Sequence, residues 1–189
     1  MAIALWLLAI QGAIGAFDTV YYHEWRARLP ARGDTAAPEL RLHAARDFFY
    51  AVIFGTLPWL AWEGVWAAAL TAILIAEIVL TMADFVTEAR VRKPFGDVYA
   101  GERVTHAVMA IVYGAMLGML VPVVWTWWNR PTALHMAPPD IPVALRGALG
   151  VMAAGVFLSG VRDAYAAGGF PHGAWPWAEP QPTRVERSS

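Results

Sequence analysis

The chain has no cysteine among its 189 residues. Disulfides, thiolate nucleophiles, iron–sulfur clusters and thiolate metal sites are therefore excluded, and any bound metal must be held by histidine, carboxylate or main-chain oxygen. Charge is also scarce. Asp, Glu, Lys and Arg make up 15% of residues, against roughly 25% in an average soluble domain. The formal net charge is −1, so there is no cationic surplus to neutralise phosphates, and a nucleic-acid partner is not expected. No nucleotide-binding loop, nucleophile elbow, HExxH pattern or internal repeat is present, and His23-Glu24 has no second His at the spacing such a pattern needs.

What fills the chain instead is apolar. Hydrophobic residues account for 58%, mean hydropathy is +0.45, and there are ten Trp. That balance points to lipid as the solvent. The fold expected is all-α, a polytopic membrane helix bundle of four core transmembrane helices plus a weaker fifth. The spans fall at about Met1–Tyr22, His43 or Phe48 to Trp62, Val65–Glu88, Glu102–Trp125 and Val143–Val161, each near the roughly 20 residues a bilayer core requires. Arg146 and several Gly weaken the fifth. The first run lacks the basic start and cleavage site of a signal peptide, so it reads as a retained helix. Trp125, Trp127 and Trp128 suit an aromatic belt. Residues 1–167 read as one helical domain, and 168–189, with several Pro and charges, as a disordered or surface-lying cytoplasmic tail.

Basic residues orient the bundle. Segment 23–47 carries five Lys or Arg, segment 88–103 four, and Arg162 with the tail three, against only Arg130 and Arg146 on the opposite side. Twelve against two predicts an outside N-terminus, with the main basic loops and the C-terminus cytoplasmic. The location expected is the inner (cytoplasmic) cell membrane.

On that topology the acids and histidines gather at one end. Span one ends with Asp18, His23 and Glu24, span two begins with His43 and Asp47, span three ends with Asp84 and Glu88, and span four begins with Glu102 and His106. His43/Asp47, Asp84/Glu88 and Glu102/His106 are each four apart, a spacing that shares a helix face. Farther along these faces lie Tyr50, Tyr113, Thr81 and Glu77, and Gln11 lies two turns deeper than Asp18 on the first helix. His23 falls off the Asp18 face and can join only where the helix ends or bends. Imidazole and carboxylate together favour Fe, Mn or Zn. The site chemistry resembles that of carboxylate-bridged di-iron and di-manganese bundles, although the pairs are four apart and not three.

The metal ligands expected are His23, His43, Asp47, Asp84, Glu88, Glu102 and His106. Tyr50, Tyr113 and Glu77 are the candidate catalytic or relay groups. The function expected is a metal-dependent oxidoreductase, with di-iron the first choice of cofactor and Zn or Mn next, acting on a lipid or other lipophilic molecule entering from the bilayer. An electron-donor protein would be its partner. Competing readings are a metal-dependent lipid hydrolase, a haem b electron carrier using histidines such as His43 and His106, a proton or metal-ion transporter, and a subunit of a homo-oligomer or larger complex. The plainest reading of the same residues is an ion-paired boundary, because Arg26, Arg46, Arg90, Arg92 and Arg103 lie close by.

Overall fold

A computed structural model describes residues 1–136 and 140–170. The elements run α1 (Ala2–Phe17), a π-helical continuation (Asp18–Ala27), a 3-10 segment (Leu29–Thr35), α2 (Ala37–Thr56), β1 (Leu60–Glu63), α3 (Val65–Val91), a short 3-10 turn (Lys93–Phe95), α4 (Ala100–Trp128), β2 (Ala133–Met136) and α5 (Val143–Ala167). Among the described residues, four helices are long and apolar enough to cross a membrane: Ala2–Ala27, Val65–Val91, Ala100–Trp128 and Val143–Ala167. Helices suit lipid because each satisfies its own backbone hydrogen bonds.

Two expectations change here. The fifth helix, expected to be weak, is 25 residues long and qualifies as a span; Arg146 lies near its start and leaves the following run uninterrupted. The second helix does not qualify. It stops at Thr56, six residues before Trp62, and its first eleven residues carry Glu39, Arg41, His43, Arg46 and Asp47. The residues beyond Thr56 turn, and Leu60–Glu63 then pairs antiparallel with Ala133–Met136, setting Leu60 opposite Met136 and Glu63 opposite Ala133. This small ladder departs from an all-helical expectation. It caps the end of the bundle opposite the acidic and histidine groups, where buried Glu63 accepts from Arg130 at 2.7 Å. Gly64 follows it with φ +61°, and a Cβ there would lie 2.6 Å from Thr132 Cα. The tail expected from Gly168 onward is described only to Phe170, which packs on Tyr165; 171–189 lie outside the described residues, as do 137–139.

The helices form a ring in the order α1, α4, α3, α2, α5. The α2/α5, α1/α4 and α2/α3 seams are close, whereas α1/α5 and α3/α4 meet sparsely. At the α2/α5 seam a Cβ on Gly160 would lie 2.9 Å from Asp47 Cβ and 3.2 Å from the Ala44 carbonyl, so only glycine permits this approach. An apolar core that includes Leu5, Leu8, Ile53, Leu70, Leu120 and Leu149 fills the half near the ladder. A smaller one around Leu29, Leu40 and Ala167 closes the other end. Outward positions are apolar as well: Val79, Ile111, Val151 and Leu158 are exposed, while Glu39, Glu77, Asp84, Arg92 and Glu102 are buried. This inversion of the soluble pattern is what lipid outside and ionisable groups inside require. Trp125 and Trp128 face outward as a belt would, but Trp127 turns into the core.

Candidate metal centre

Asp18 and His23 meet because of a change in helix type. In an α-helix, residues five apart diverge. Asp18–Ala27 is π-helical, and i→i+5 hydrogen bonding stacks residues five apart. His23 Nε2 therefore comes within 3.3 Å of Asp18 Oδ2. The segment is held from two sides: the Glu24 carboxylate is ion-paired with Arg162 of α5, and the Tyr22 hydroxyl packs over Gly101 at the start of α4.

From α4, His106 reaches into the same space. Its Nε2 is 3.1 Å from Asp18 Oδ2 and its Nδ1 is 3.6 Å from Glu88 Oε1. Glu102, one turn earlier, sets Oε1 3.2 Å from His23 Nε2. Two overlapping triads result, Asp18–His23–His106 and Glu88–Glu102–His106, each with ligating atoms mutually within 4.8 Å. Donors placed about 2.0–2.2 Å from a shared ion sit roughly 3.0–3.5 Å from one another; the Asp18–His23, Asp18–His106 and His23–Glu102 separations of 3.3, 3.1 and 3.2 Å fall in that range. Among the described residues, His23 Nε2, Asp18 Oδ1 and Glu88 Oε2 are buried without a hydrogen-bond partner, although carboxylate oxygens stand close to the imidazole nitrogen.

The remaining expected ligands are arranged differently. His43 stacks on His23, ring centroids 4.6 Å apart and planes 7° from parallel. Its nitrogens face Asp84 at 3.3 Å, Asp163 at 3.8 Å and Glu39 at 3.9 Å. Asp84 accepts from Arg46 Nη1 at 2.7 Å, so that carboxylate is already matched by a guanidinium. Asp47 lies on the flank toward α5, beside Ser159 and Gly160. The structure thus brings His23, Glu88, Glu102 and His106 together, sets His43 and Asp84 beside them, and directs Asp47 elsewhere.

Four participants were not among the expected ligands, one being Asp163 of α5, which faces His43 Nδ1. Asp18 was legible as an acid at a span end, and its place in the cluster depends on the π-helix. Glu39 is four residues before His43, a spacing that could have flagged it. Arg92 read as a loop cation, yet it is 1% exposed. Its Nε donates to Glu39 at 2.9 and 3.0 Å, and its Nη2 to Glu39 at 2.7 Å and Glu102 at 3.0 Å. Burial works against its charge, but the hydrogen bonds and charges of Glu39, Glu102 and Glu88 outweigh that and hold its pKa above the ordinary arginine value. Glu102 also caps α4 by accepting from Tyr99 N at 3.4 Å.

Tyr50, Tyr113 and Glu77 lie deeper. Glu77 accepts from the Thr81 hydroxyl at 2.7 Å and stands 3.7 Å from Arg46 Nε. The Tyr50 and Tyr113 rings meet edge to face at 6.1 Å.

Buried acids outnumber fixed cations here: Asp18, Glu39, Asp84, Glu88, Glu102 and Asp163 surround the guanidiniums of Arg46 and Arg92. His23 and His43 lie face to face, and two like charges that close oppose one another. Protons on His43 and His106, or one divalent cation, would each supply two positive charges.

The chain matches no known family, curated protein or solved structure. Its function must be read from the site alone.

Two cavities adjoin the cluster. One, of about 340 Å³, lies at the loose α1/α5 seam; the other, of about 240 Å³, opens between α3 and α4. Both reach Asp18 and His23 at one end, and both are walled largely by apolar side chains, Met152 and Val156 in the first and Ile78 and Met82 in the second. Their rims include exposed Val20 and Met82, so each faces the surface that lipid would cover.

Proposed function

We propose that this chain is a membrane-embedded, metal-dependent oxidoreductase acting on a lipophilic substrate. The observation that carries this reading is the convergence of Asp18, His23 and His106 from two helices, with His23 Nε2 and Asp18 Oδ1 unpartnered, at the shared polar end of two laterally opening cavities. His23 and His106 supply imidazole, and Asp18, Glu88 and Glu102 supply carboxylate. That donor set favours iron, with manganese and zinc next. A second ion near His43, Asp84 and Glu39 would have to compete with Arg46 and Arg92, which makes one ion the simpler stoichiometry. When bound, the metal would supply Lewis acidity and, if iron or manganese, access to one-electron chemistry.

The chain's own residues would do the rest. Arg92 fixes Glu102 and Glu39, and Arg46 fixes Asp84. The apolar cavity walls admit the substrate sideways and exclude water. The excess of Lys and Arg at this end supports a centre on the cytoplasmic side, with the N-terminus outside. A second reading, proton movement, is favoured by one feature: Glu77, Arg46 and Asp84 form a chain leading from the cluster into the bundle.

Elemental mass spectrometry of the purified full-length protein tests the main reading. About one Fe or Mn per chain is expected, falling at least tenfold in His106→Ala and His23→Ala and persisting in Asp47→Asn. One Zn would move the reaction class to hydrolysis. A folded protein that holds no metal after incubation with Fe, Mn and Zn would overturn the proposal, and proton flux lost in Glu77→Gln would then favour the second reading.

A further inference from the structure

The polar residues of this bundle form two layers. Asp18, His43, Asp84 and His106 each have a polar partner seven residues farther from the cluster end: Gln11 on α1, Tyr50 on α2, Glu77 on α3 and Tyr113 on α4. Seven residues is close to two helical turns, so each partner lies on the same inward face, roughly 10 Å deeper. All four are buried; Gln11 is 4% and Glu77 1% exposed. Tyr50 and Tyr113 form the edge of the apolar core, which continues toward the ladder.

This lower layer has unmet hydrogen-bonding capacity. Among the described residues, Gln11 Oε1 has no hydrogen-bond partner, and the Tyr113 hydroxyl stands beside the Glu77 carboxylate. Buried polar atoms are rarely left so, and here they are not sealed in the core: Gln11, Tyr50 and Met109 line both cavities. The cavities therefore meet at this layer, coming to it from opposite seams. The polar groups offer donors (the phenols, the Gln11 amide and Arg46) and acceptors (Gln11 Oε1 and Glu77). The walls beside them are rings, thioethers and aliphatic chains: Phe54 and Met152 on one side, Ile78, Met109 and Leu117 on the other.

We propose that the layer of Gln11, Tyr50, Glu77 and Tyr113 is the binding site for the ring of a neutral, lipid-soluble quinone. Three features select this class. The site is deep in the span and reached through lipid-facing openings, so the ligand is lipophilic. Glu77 and the acid-rich layer above it disfavour an anionic head such as a fatty acid carboxylate. Aromatic and methionine walls suit a flat ring, and donors on separate helices suit oxygens on its opposite edges. The site uses none of the proposed metal ligands, so it stands whether or not the metal centre does.

Binding of a decyl-substituted benzoquinone to the full-length protein in nanodiscs tests this, with 1-decanol as a tail-only competitor and metal content measured on the same samples. Saturable binding is expected, not displaced by equimolar decanol. It should weaken by about five- to tenfold in Tyr113→Phe and in Gln11→Leu, the loss of one or two hydrogen bonds. Exposed Val79→Leu should bind as wild type. Tyr113→Phe removes only a hydroxyl and keeps the ring in place beside Tyr50, so it keeps the test sound if Gln11→Leu fails to fold. No saturable binding, equal displacement by decanol, or wild-type affinity in Tyr113→Phe would each overturn the assignment. Quinone binding in a protein that holds no metal would support it while overturning the metal centre.

Discussion

Replacing Arg92 with methionine should be among the most damaging single changes in the protein. The guanidinium is 1% exposed and serves two carboxylates, Glu39 and Glu102, both with no exposed surface. It meets Glu39 through contacts of 2.7 to 3.0 Å and Glu102 through one of 3.0 Å. Methionine fills much of the same volume but leaves both acids without their cation. Removing one partner of a buried ion pair typically costs about 3–5 kcal/mol, because the remaining charge stays buried. For a chain of this size that corresponds to a fall in Tm on the order of 10 °C. Differential scanning fluorimetry in detergent would measure it.

The double variant Arg92→Met/Glu39→Gln should recover much of the loss, since only Glu102 then lacks its cation. The deficit should also depend on pH. Burial already raises the Glu39 pKa, with the Arg92 hydrogen bonds opposing that rise. Without Arg92 the folded-state pKa climbs further above the unfolded value. Glu39 is then neutral and well tolerated at low pH, and stability is lost as pH rises through the raised pKa. The gap between variant and wild type should therefore narrow as pH falls from about 8 toward the ordinary carboxylate range near 4 to 5. A loss of under about 1 kcal/mol at neutral pH, the scale of an exposed pair, would refute the reasoning, because it would mean that these acids are solvated or already protonated.

Further outcomes follow from the same contacts. Gly160→Val should destabilise by about 1–3 kcal/mol through overpacking, because its Cβ would press on Asp47 and the Ala44 carbonyl at the α2/α5 seam; urea or heat titration of purified protein would show it. Gly64→Ala should destabilise by at least about 1–3 kcal/mol from its backbone conformation alone, with the Thr132 backbone in the way of the new methyl, yet metal content should be unchanged, since the ladder lies at the opposite end. Chelation of a metal-loaded preparation should lower Tm in wild type, by about 2.7 kcal/mol of stability if the ion had been present at 100 times its Kd, and should have little effect on His106→Ala.

Lipid as solvent and the gathering of acids and histidines at one end were legible in the residues themselves. Both follow from composition and helical periodicity: apolar runs of spanning length fix how many residues separate the ends, and pairs four apart fix which side chains share a face. The sequence alone also marked Tyr50, Tyr113 and Glu77 as deeper members of the polar faces. The end of α2 was not legible, because Leu57–Trp62 is as apolar as a helix continuation and becomes turn and strand only by pairing with Ala133–Met136. Nor was the rank of the spans, since Arg146 weakens a window average without interrupting the run that follows it.

Which residues form the centre was a tertiary decision. Whether His23 could face Asp18 turned on a helix type that no local pattern announces, set by how Glu24 meets Arg162 and Tyr22 meets Gly101. Whether Asp84 was a ligand or an ion-pair partner turned on Arg46, 38 residues away, and Glu102 was tied to Arg92 and Glu39 only when three segments closed together. Periodicity assigns a side chain to a face of its own helix. Charge pairing in a buried space depends on which faces of other helices come within about 4 Å, and only the packed bundle sets that.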